Sequence, residues 1–276
     1  MHGDVSRSAV ASLFLAALLR RGMTADTDTD AELAAVADAL VEGHGAMALT
    51  GAGVSTASGV PSFRGEGGIW RTEFDPNDFH HSRFLRDPAG FWADRLRLQE
   101  TMFPDDPEPN AAHHALVALE ERGVLDGVVT QNTDGLHRAA GQETLAELHG
   151  NAARVACQSC GRTYPAAPIF DRGRGGDRPP RCDCGGVYKP AVVLFGEQLD
   201  PGTLARAEAL AMGSETVLAV GTSLQVEPAA SLAGLGERLV VVNFDETPYA
   251  DEAAVDLRAD VTRALPRLVD LVDDRL

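Results

Sequence analysis

The stretch AMALTGAGVSTASGVPSFRG, residues 46–65, decides the fold that we predict for this chain. It opens with a short apolar run, typical of a buried strand, and the glycine-rich turn GAG of residues 51–53 follows at once. Such a turn before a helix lets a diphosphate approach backbone N–H groups. Its spacing is not that of the GxGxxG dinucleotide fingerprint, because residues 55–58 intervene before Gly59. A plain tight turn is therefore the alternative that this stretch alone leaves open.

Short apolar runs like the first one recur along the chain and alternate with helical patterns. The runs are GVVT at 127–130, TVLAV at 216–220 and LVVVN at 239–243, and the helical patterns cover 31–41, 111–122, 229–235 and 261–276. This alternation predicts an α/β fold with a doubly wound, Rossmann-like parallel sheet, whose buried strands are continuously apolar. Polar motifs follow the runs directly, and ligands of such sheets bind at the carboxyl ends of the strands.

The four cysteines form two close pairs, CQSC at 157–160 and CDC at 182–184, which is a metal-binding pattern and not a disulfide framework. Zinc takes four thiolates from two tight pairs on separate turns, and no coordination position then stays open for catalysis. We therefore predict one structural Zn²⁺ per chain, held by Cys157, Cys160, Cys182 and Cys184. Residues 151–190 form a small zinc-binding module, inserted between residues 31–150 and 191–276 of the Rossmann-like domain. We expect the metal to replace the hydrophobic core that the module lacks.

The N-terminus contains an apolar run, AVASLFLAALL, at residues 9–19. That length is too short to span a bilayer, and no small-residue cleavage site follows it as in a signal peptide. We predict that residues 1–30 are an N-terminal extension, poorly ordered or mis-started. Residues 1–22 are either the product of an early start codon, with Met23 as the natural start, or a loose helix, and Asp30 caps the first helix. No other segment has the pattern of a membrane span.

The chain is strongly acidic, with 41 Asp and Glu against 24 Lys and Arg and a formal net charge of −17. Only one of the cations is a lysine, Lys189. This charge argues against binding nucleic acid through a basic face, although the arginines of the cysteine module keep a nucleic-acid-binding zinc ribbon open locally. An acidic, lysine-poor surface suits a halophilic cytoplasm. We predict a cytoplasmic protein with no nucleic-acid or membrane partner.

Seven segments, in their order and with similar gaps, resemble the sirtuins, NAD-dependent protein deacylases, in their archaeal and bacterial form. They are GAGVSTASGVPSFRG (51–65), TQNTDGLH (130–137), LHG (148–150), the cysteine module, VVLFGE (192–197), GTSL (221–224) and VVN (241–243). The resemblance covers residues 31–276 and implies NAD as co-substrate. The NAD-binding residues that it implies are Gly51, Ala52, Gly53, Ser55, Thr56, Phe63, Arg64, Gln131, Asn132, Asp134, Gly221, Thr222, Ser223, Asn243 and Val261.

The resemblance also implies the remaining site residues of a protein-lysine deacetylase, a transferase that moves acetyl groups from lysine to ADP-ribose. His149 matches the catalytic general base, and the ordinary imidazole pKa of about 6.5 suits that role at neutral pH. Asn132 and Asp134 match catalytic residues that hold the nicotinamide end of NAD. The residues that match the segment receiving the acyl-lysine protein as an added strand are Val193, Phe195 and Gly196. The implied products are nicotinamide, free lysine and O-acetyl-ADP-ribose.

Two departures from the family pattern bear on the acyl group. Many sirtuins have Asp where this chain has Ser62, and a small hydroxyl residue there is typical of the desuccinylase branch. That branch reads the acyl carboxylate with a Tyr and an Arg three residues apart, whereas this chain has Arg95 and Leu98 at those places. Because the pair is missing, we predict acetyl-lysine as the preferred substrate. Long-chain or succinyl deacylation, protein ADP-ribosylation and a catalytically idle acetyl-lysine or ADP-ribose reader stay open as alternatives.

Overall fold

The computed structural model describes residues 29–65, 67–103 and 106–276, so residues 1–28 of the predicted extension lie outside the described residues. Helix α1 occupies residues 29–42. Asp30 already lies inside this helix, so the prediction that it caps the helix is wrong. Its carboxylate instead accepts a hydrogen bond from Arg267 Nη2 at 3.0 Å, which ties α1 to the C-terminal helix.

The strands of the described residues form two sheets. In chain order they are β1 (Ala46–Thr50), β2 (Gly127–Thr130), β3 (Leu145–Glu147), β4 (Gly150–Cys157), β5 (Thr163–Pro165), β6 (Tyr188–Val192), β7 (Thr216–Val220), β8 (Arg238–Asn243) and β9 (Val255–Arg258). The main sheet has the order β3-β2-β1-β7-β8-β9, and all its neighbours pair in parallel. The strand order reverses between β1 and β7, which is the switch point where open α/β sheets bind ligands. The Rossmann-like prediction is confirmed.

The helices after α1 lie between these strands in the chain, except α9, which follows the last strand. They are α2 (Ile69–Thr72), α3 (His81–Arg86), α4 (Pro88–Met102), α5 (Ala111–Glu121), α6 (Leu136–Ala140), α7 (Ala166–Arg174), α8 (Pro201–Gly213) and α9 (Val261–Asp273). Asn110 caps α5, because its side chain accepts from Ala112 N at 2.9 Å, and Asp260 caps α9 in the same way. None of the helices in the described ranges is long and apolar enough to cross a membrane.

One predicted helix, at residues 229–235, is only a 3₁₀ turn, Ala230–Gly234. Pro228 precedes this stretch, and Gly234 and Gly236 end it. The segment between these residues is too short for two α-helical turns, and glycine disfavours extending the helix. The apolar residues of this segment therefore pack against the main sheet, although the segment does not form an α-helix.

Helices cover both faces of the main sheet, as a doubly wound fold requires. On one face α1, α5 and α9 pack through Leu33, Leu116 and Leu268, all buried against the strands. On the other face α8 and the 3₁₀ turn pack through Ala211 and Leu232. Because the central strands are covered from both sides, their residues are apolar without alternation, which makes the runs visible in the sequence.

The cysteine module is a three-stranded sheet of order β5-β4-β6, with α7 beside it. Its core is not missing. Val155, Phe170 and Tyr188 are buried in one cluster with Phe91 and Trp92 of α4. The prediction that zinc replaces a core is therefore wrong: the module shares a core with α2–α4, and together they form a smaller lobe. This core is assembled from distant parts of the chain, so no local pattern within the module revealed it.

Candidate active site

A cavity of about 840 Å³ lies at the carboxyl end of the main sheet, at the switch point between β1 and β7. The glycines after these two strands bring their backbones into contact. A Cβ added to Gly53 would lie 2.8 Å from Gly221 Cα, and one added to Gly51 would lie 2.8 Å from Thr222 Cβ. Only glycine permits this approach, so the turn presents backbone to the cavity, as binding of a diphosphate requires.

Most of the residues predicted to bind NAD or peptide line this one cavity. They are Gly51, Ala52, Gly53, Thr56, Phe63, Arg64, Gln131, Asn132, His149, Val193, Phe195, Gly196, Gly221, Thr222, Ser223 and Asn243. The parallel topology brings them together, because many of them follow the carboxyl ends of neighbouring strands. Gln131 links two of these ends, since its Nε2 donates to Thr222 Oγ1 at 2.9 Å.

Ser55 and Asp134 do not line the cavity but lie behind Asn132, which does. The buried Ser55 Oγ donates to Asp134 Oδ2 at 2.8 Å and accepts from Asn132 Nδ2 at 3.1 Å. Asn132 Nδ2 also donates to the Gly51 carbonyl at 3.0 Å. The amide nitrogen of Asn132 is thus held toward the protein, and its oxygen is left for a ligand. Asp134 is thus connected to the cavity only through Ser55 and Asn132.

Val261 also lies outside the cavity wall. It is the first residue of α9, and its side chain is buried in the apolar cluster between that helix and the main sheet. Its neighbour Asp260 accepts hydrogen bonds from Thr262 N and Oγ1 and so fixes the start of the helix. Any contact of Val261 with a dinucleotide would therefore use its backbone and not its side chain.

His149 lies between β3 and β4, half-buried in the cavity wall. Its Nδ1 is 2.9 Å from the Gln131 carbonyl oxygen. Because a carbonyl oxygen can only accept, Nδ1 carries the proton and Nε2 keeps its lone pair. Nε2 has no hydrogen-bond partner within the described part of the chain, so it is the nitrogen that can act as a base in the cavity. Burial lowers the pKa of His149, and the positive charge of Arg64 lowers it further, against the effect of the Gln131 hydrogen bond.

The acid limb of the pH dependence of kcat/KM, which reports groups of the free enzyme, should therefore lie below pH 6.5, the ordinary pKa of imidazole. The base must be neutral, so activity rises with pH through the lowered pKa of His149 and is full above it. Initial rates between about pH 5 and 8 would measure this. In an Arg64→Gln variant the limb should move to higher pH, because a charge that opposes protonation is gone. A wild-type limb above pH 6.5 would contradict the assignment.

Two further histidines, His113 and His137, support the residues behind the cavity. His137 Nε2 lies 2.9 Å from Thr50 Oγ1, and His113 Nε2 lies 3.4 Å from Ser55 Oγ. The two rings contact edge to face, with centroids 4.9 Å apart. Burial lowers the pKa of His113 to about 4 and that of His137 to about 3, so both rings are neutral at pH 7. They position the turn and do not touch the cavity.

The segment predicted to receive the peptide continues from β6 along the cavity. Val193 N donates to the His149 carbonyl at 2.9 Å, which couples this segment to the base. Phe195 is already paired within the chain, because its N–H donates to the Phe79 carbonyl and its carbonyl accepts from His81 N. A peptide strand would therefore have to pair through neighbouring groups, such as the Val193 carbonyl.

The single lysine of the chain anchors the same segment. Lys189 Nζ donates to Glu197 Oε2 at 2.8 Å and to the Val192 carbonyl at 2.7 Å, and it is buried. The same Glu197 oxygen accepts from Leu194 N at 2.9 Å. This ion pair closes residues 192–197 into a loop with a fixed shape. The one sequence signal for this ion pair was that Lys189 is the single lysine of a chain whose other cations are arginines.

Replacing Glu197 with alanine should destabilise the protein by about 3–5 kcal/mol and raise the KM for peptide, because it leaves Lys189 buried without its partner. Urea unfolding and steady-state kinetics would measure the two effects. The control is the double variant Lys189→Met/Glu197→Leu, which removes both charges and should be more stable than Glu197→Ala. Equal destabilisation by the single and the double change would show that the ion pair itself does not matter.

The four cysteines come together at one end of the smaller lobe. Their sulfur atoms all lie within 4.8 Å of one another, and the Cys157–Cys184 and Cys160–Cys182 pairs are 3.5 and 3.9 Å apart. A tetrahedron of thiolates about 2.3 Å from zinc has edges of about 3.8 Å. The donor set therefore fits one structural Zn²⁺ with no open position, as predicted.

Part of the cavity wall was not predicted. Residues 225–228 and 244–246 line it, as do Trp70, Phe79 and Phe103. The first two segments directly follow the predicted GTSL and VVN motifs, so their position after strand ends is the signal that would have found them. The aromatic residues had no such signal, because α2 and the residues after it approach the cavity only through the shared core of the smaller lobe.

A cavity of about 840 Å³ lies at the switch point of a Rossmann-like sheet, a histidine with an available Nε2 lies in its wall, and four cysteines meet in the smaller lobe. These features are those of a nucleotide-dependent enzyme with a structural metal. Residues 51–228 match the model of the Sir2 family. The chain is 55% identical over 250 residues to an NAD-dependent protein deacetylase of Haloarcula marismortui, covering 88% of this chain and 96% of the relative. It therefore belongs to the Sir2 family, the sirtuins.

Other relatives agree with this membership. An NAD-dependent protein deacylase 2 of Archaeoglobus fulgidus is 36% identical over 247 residues, which cover 87% of this chain and 96% of the relative. Among solved structures, a Sir2 protein with a deacetylated p53 peptide and 3′-O-acetyl ADP ribose superposes with a TM-score of 0.79 at 35% identity, covering 85% of this chain and 96% of the other. The likeness extends over both lobes.

Proposed function

We propose that this chain is an NAD-dependent protein-lysine deacetylase that releases nicotinamide and forms O-acetyl-ADP-ribose. The observation that carries the proposal is the state of His149, whose Nδ1 is tied to the Gln131 carbonyl and whose Nε2 is left as a base in the cavity. The deacetylase from Haloarcula and the structure with an acetylated ADP-ribose product support the same reaction.

In the proposed reaction, different residues of the chain have separate roles. NAD, when bound, supplies the ADP-ribosyl group that accepts the acetyl group. Asn132, held by Gly51 and Ser55, would help to hold the nicotinamide end of NAD with its amide oxygen. His149 Nε2 takes the proton of a ribose hydroxyl, and its lowered pKa keeps it neutral and ready to do so at pH 7.

The loop after the glycine turn covers the site. Phe63 stacks on Trp70 with ring centroids 5.4 Å apart, and Trp70 meets Phe195 edge-on at 5.6 Å. These rings line the cavity beside the peptide segment and make that part of its wall apolar. An apolar wall of this kind suits the uncharged acetyl-lysine side chain and disfavours hydrolysis of NAD by solvent.

The test is nicotinamide release from NAD with an acetyl-lysine peptide, followed together with deacetylated peptide and acetylated ADP-ribose. We expect the three products in equal amounts and no release with the unmodified peptide. Transfer of labelled ADP-ribose to the peptide would instead establish an ADP-ribosyltransferase. Binding of peptide and NAD without turnover would establish a reader.

We also propose that the enzyme works in a salt-rich cytoplasm. The net charge of −17 keeps the surface hydrated when salt competes for water, and the relative from Haloarcula is consistent with such a habitat. Four cysteines that meet as a thiolate cluster suit a reducing compartment. The prediction is that deacetylation rises with KCl concentration to the molar range, and a rate that only falls with salt would contradict it.

A further inference from the structure

A histidine side chain packs behind the segment predicted to receive the peptide. His80 does not line the cavity, but its ring lies directly on Gly196, which does. A Cβ added to Gly196 would collide with both Cε1 and Nε2 of His80. The backbone of Gly196 also has a φ of +74°, in the left-handed region that favours glycine. The His80 ring therefore occupies the space that any other residue at position 196 would need for its side chain.

The opposite edge of the His80 ring is fixed by helix α3. His80 is the N-cap of this helix, and its Nδ1 accepts from Ser82 N at 3.2 Å and lies 2.9 Å from Ser82 Oγ. Because a backbone N–H can only donate, Nδ1 keeps its lone pair and Nε2 carries the proton of the ring. The ring thus has one edge on the start of α3 and the other edge on Gly196.

Backbone hydrogen bonds join the same two parts of the chain. Phe195 N donates to the Phe79 carbonyl at 3.3 Å, and His81 N donates to the Phe195 carbonyl at 2.9 Å. His80 and Phe195 are thereby paired as a short parallel bridge. Residues 79–81 therefore support the peptide segment from behind, while Phe195 and Gly196 line the cavity in front. A displacement of His80 would displace the backbone beside a bound peptide.

Helix N-caps are usually serine, threonine, asparagine or aspartate, so a histidine at this position indicates a second role. Each of the usual residues would satisfy Ser82 N as well as the imidazole does. Their side chains end at the capping atom, however, whereas the imidazole has a further edge that lies on Gly196. Capping α3 does not require that edge, but holding Gly196 does.

Resting on the proposed deacylase function, we propose that His80 is a positioning residue for the acyl-lysine peptide. Its ring, held by the start of α3, sets the position of Gly196 and, through the parallel bridge, that of Phe195. The surface that receives the peptide is thereby formed before the peptide arrives. Because His80 lies behind this surface and not in the cavity, its loss should weaken peptide binding in the ground state and the transition state alike. Such a loss raises KM and leaves kcat unchanged.

The experiment separates the ring of His80 from its capping function. His80→Asn keeps a capping oxygen for Ser82 N but removes the ring edge on Gly196, and His80→Ala removes both. We expect both variants to raise the KM for an acetyl-lysine peptide roughly 3- to 30-fold, with kcat and the KM for NAD nearly unchanged. Only His80→Ala should also lower the melting temperature, because it alone lacks the cap. The matched control is His81→Asn, which keeps the backbone N–H that donates to Phe195 and should leave both KM values nearly unchanged.

A double-mutant cycle with Gly196→Ala tests the contact between the two residues. In the wild-type background the added methyl group collides with the His80 ring, whereas in the His80→Asn background that space is free. The backbone strain from the positive φ is the same in both backgrounds and therefore cancels in the cycle. Gly196→Ala should thus raise the peptide KM by a smaller factor in the His80→Asn background. Equal factors in the two backgrounds would show that the ring does not hold Gly196.

The other outcomes also decide between the proposals. If the wild type turns over acetyl-lysine peptide and His80→Asn has the same peptide KM, the role of His80 is wrong and the deacetylase proposal stands. If the KM for NAD rises as much as the KM for peptide, His80 supports the whole site and the positioning role is also wrong. If the wild type does not turn over acetyl-lysine peptide, the deacylase function fails and the role of His80 fails with it.

Discussion

The His149→Ala variant should lose about 10²–10⁴-fold in kcat for deacetylation, the range expected when a general base is removed. The variant keeps the glycine turn, the peptide segment and the hydrogen bonds of Asn132 to Gly51 and Ser55, and it loses only the bond to the Gln131 carbonyl. Its NAD affinity should therefore change little, which a NAD-induced shift in melting temperature would measure. Loss of rate with retained binding is the signature of a group that acts on the transition state.

The matched control for this substitution is His114→Ala. His114 is exposed on α5, next to the buried His113, and does not line the cavity. Its replacement should leave kcat within about twofold of wild type, as surface substitutions usually do. Undiminished deacetylation by His149→Ala would remove the central argument for the proposed function. A loss that is equal in both variants would point to a general effect of histidine replacement and not to catalysis.

The main sheet could be predicted from the sequence because each of its strands has a recognisable pattern within a few consecutive residues. Strands buried on both faces are continuous apolar runs, and all four predicted runs are strands of the sheet, with β1 at the predicted bounds Ala46–Thr50. The site residues at strand ends could be placed together for the same reason, since parallel strands bring their carboxyl ends to one edge. The cysteine pairs were equally local, because their spacing alone indicates a metal.

What could not be predicted depends on contacts between distant parts of the chain. The core of the smaller lobe joins Phe91 and Trp92 to Phe170, and no pattern within either segment announces that pairing. Arg95 shows the same limit. The sequence places Arg95 at a position that bears on the acyl group, but only the fold shows that it is buried in the cavity wall, with an Nη1 that has no hydrogen-bond partner among the described residues. The burial of Val261 between α9 and the main sheet likewise depends on contacts between distant segments.

The cysteine cluster is connected to the active site through two strands of the smaller lobe. β4 begins directly after His149, and β6 ends directly before Val193, whose N–H donates to the His149 carbonyl. Trp92 Nε1 donates to the Tyr188 carbonyl at 2.8 Å, which fastens β6 to α4. The cysteines fix the far ends of the same strands. We therefore expect loss of the metal to disturb His149 and the peptide segment as well, because β4 and β6 connect them to the cysteines.

Removing the metal should thus abolish activity although zinc performs no chemical step. We expect Cys160→Ala to reduce bound zinc from one per chain to almost none, because the remaining three thiolates no longer complete the site. The melting temperature should fall by about 10 °C or more, since structural zinc contributes directly to folding free energy. Metal analysis, thermal unfolding and deacetylation would measure the three effects.

The control is Ser159→Ala, which alters the same turn without removing a ligand and should retain zinc, stability and rate. A zinc-free Cys160→Ala protein with wild-type stability and activity would show that the shared core with α4 is sufficient to hold the smaller lobe.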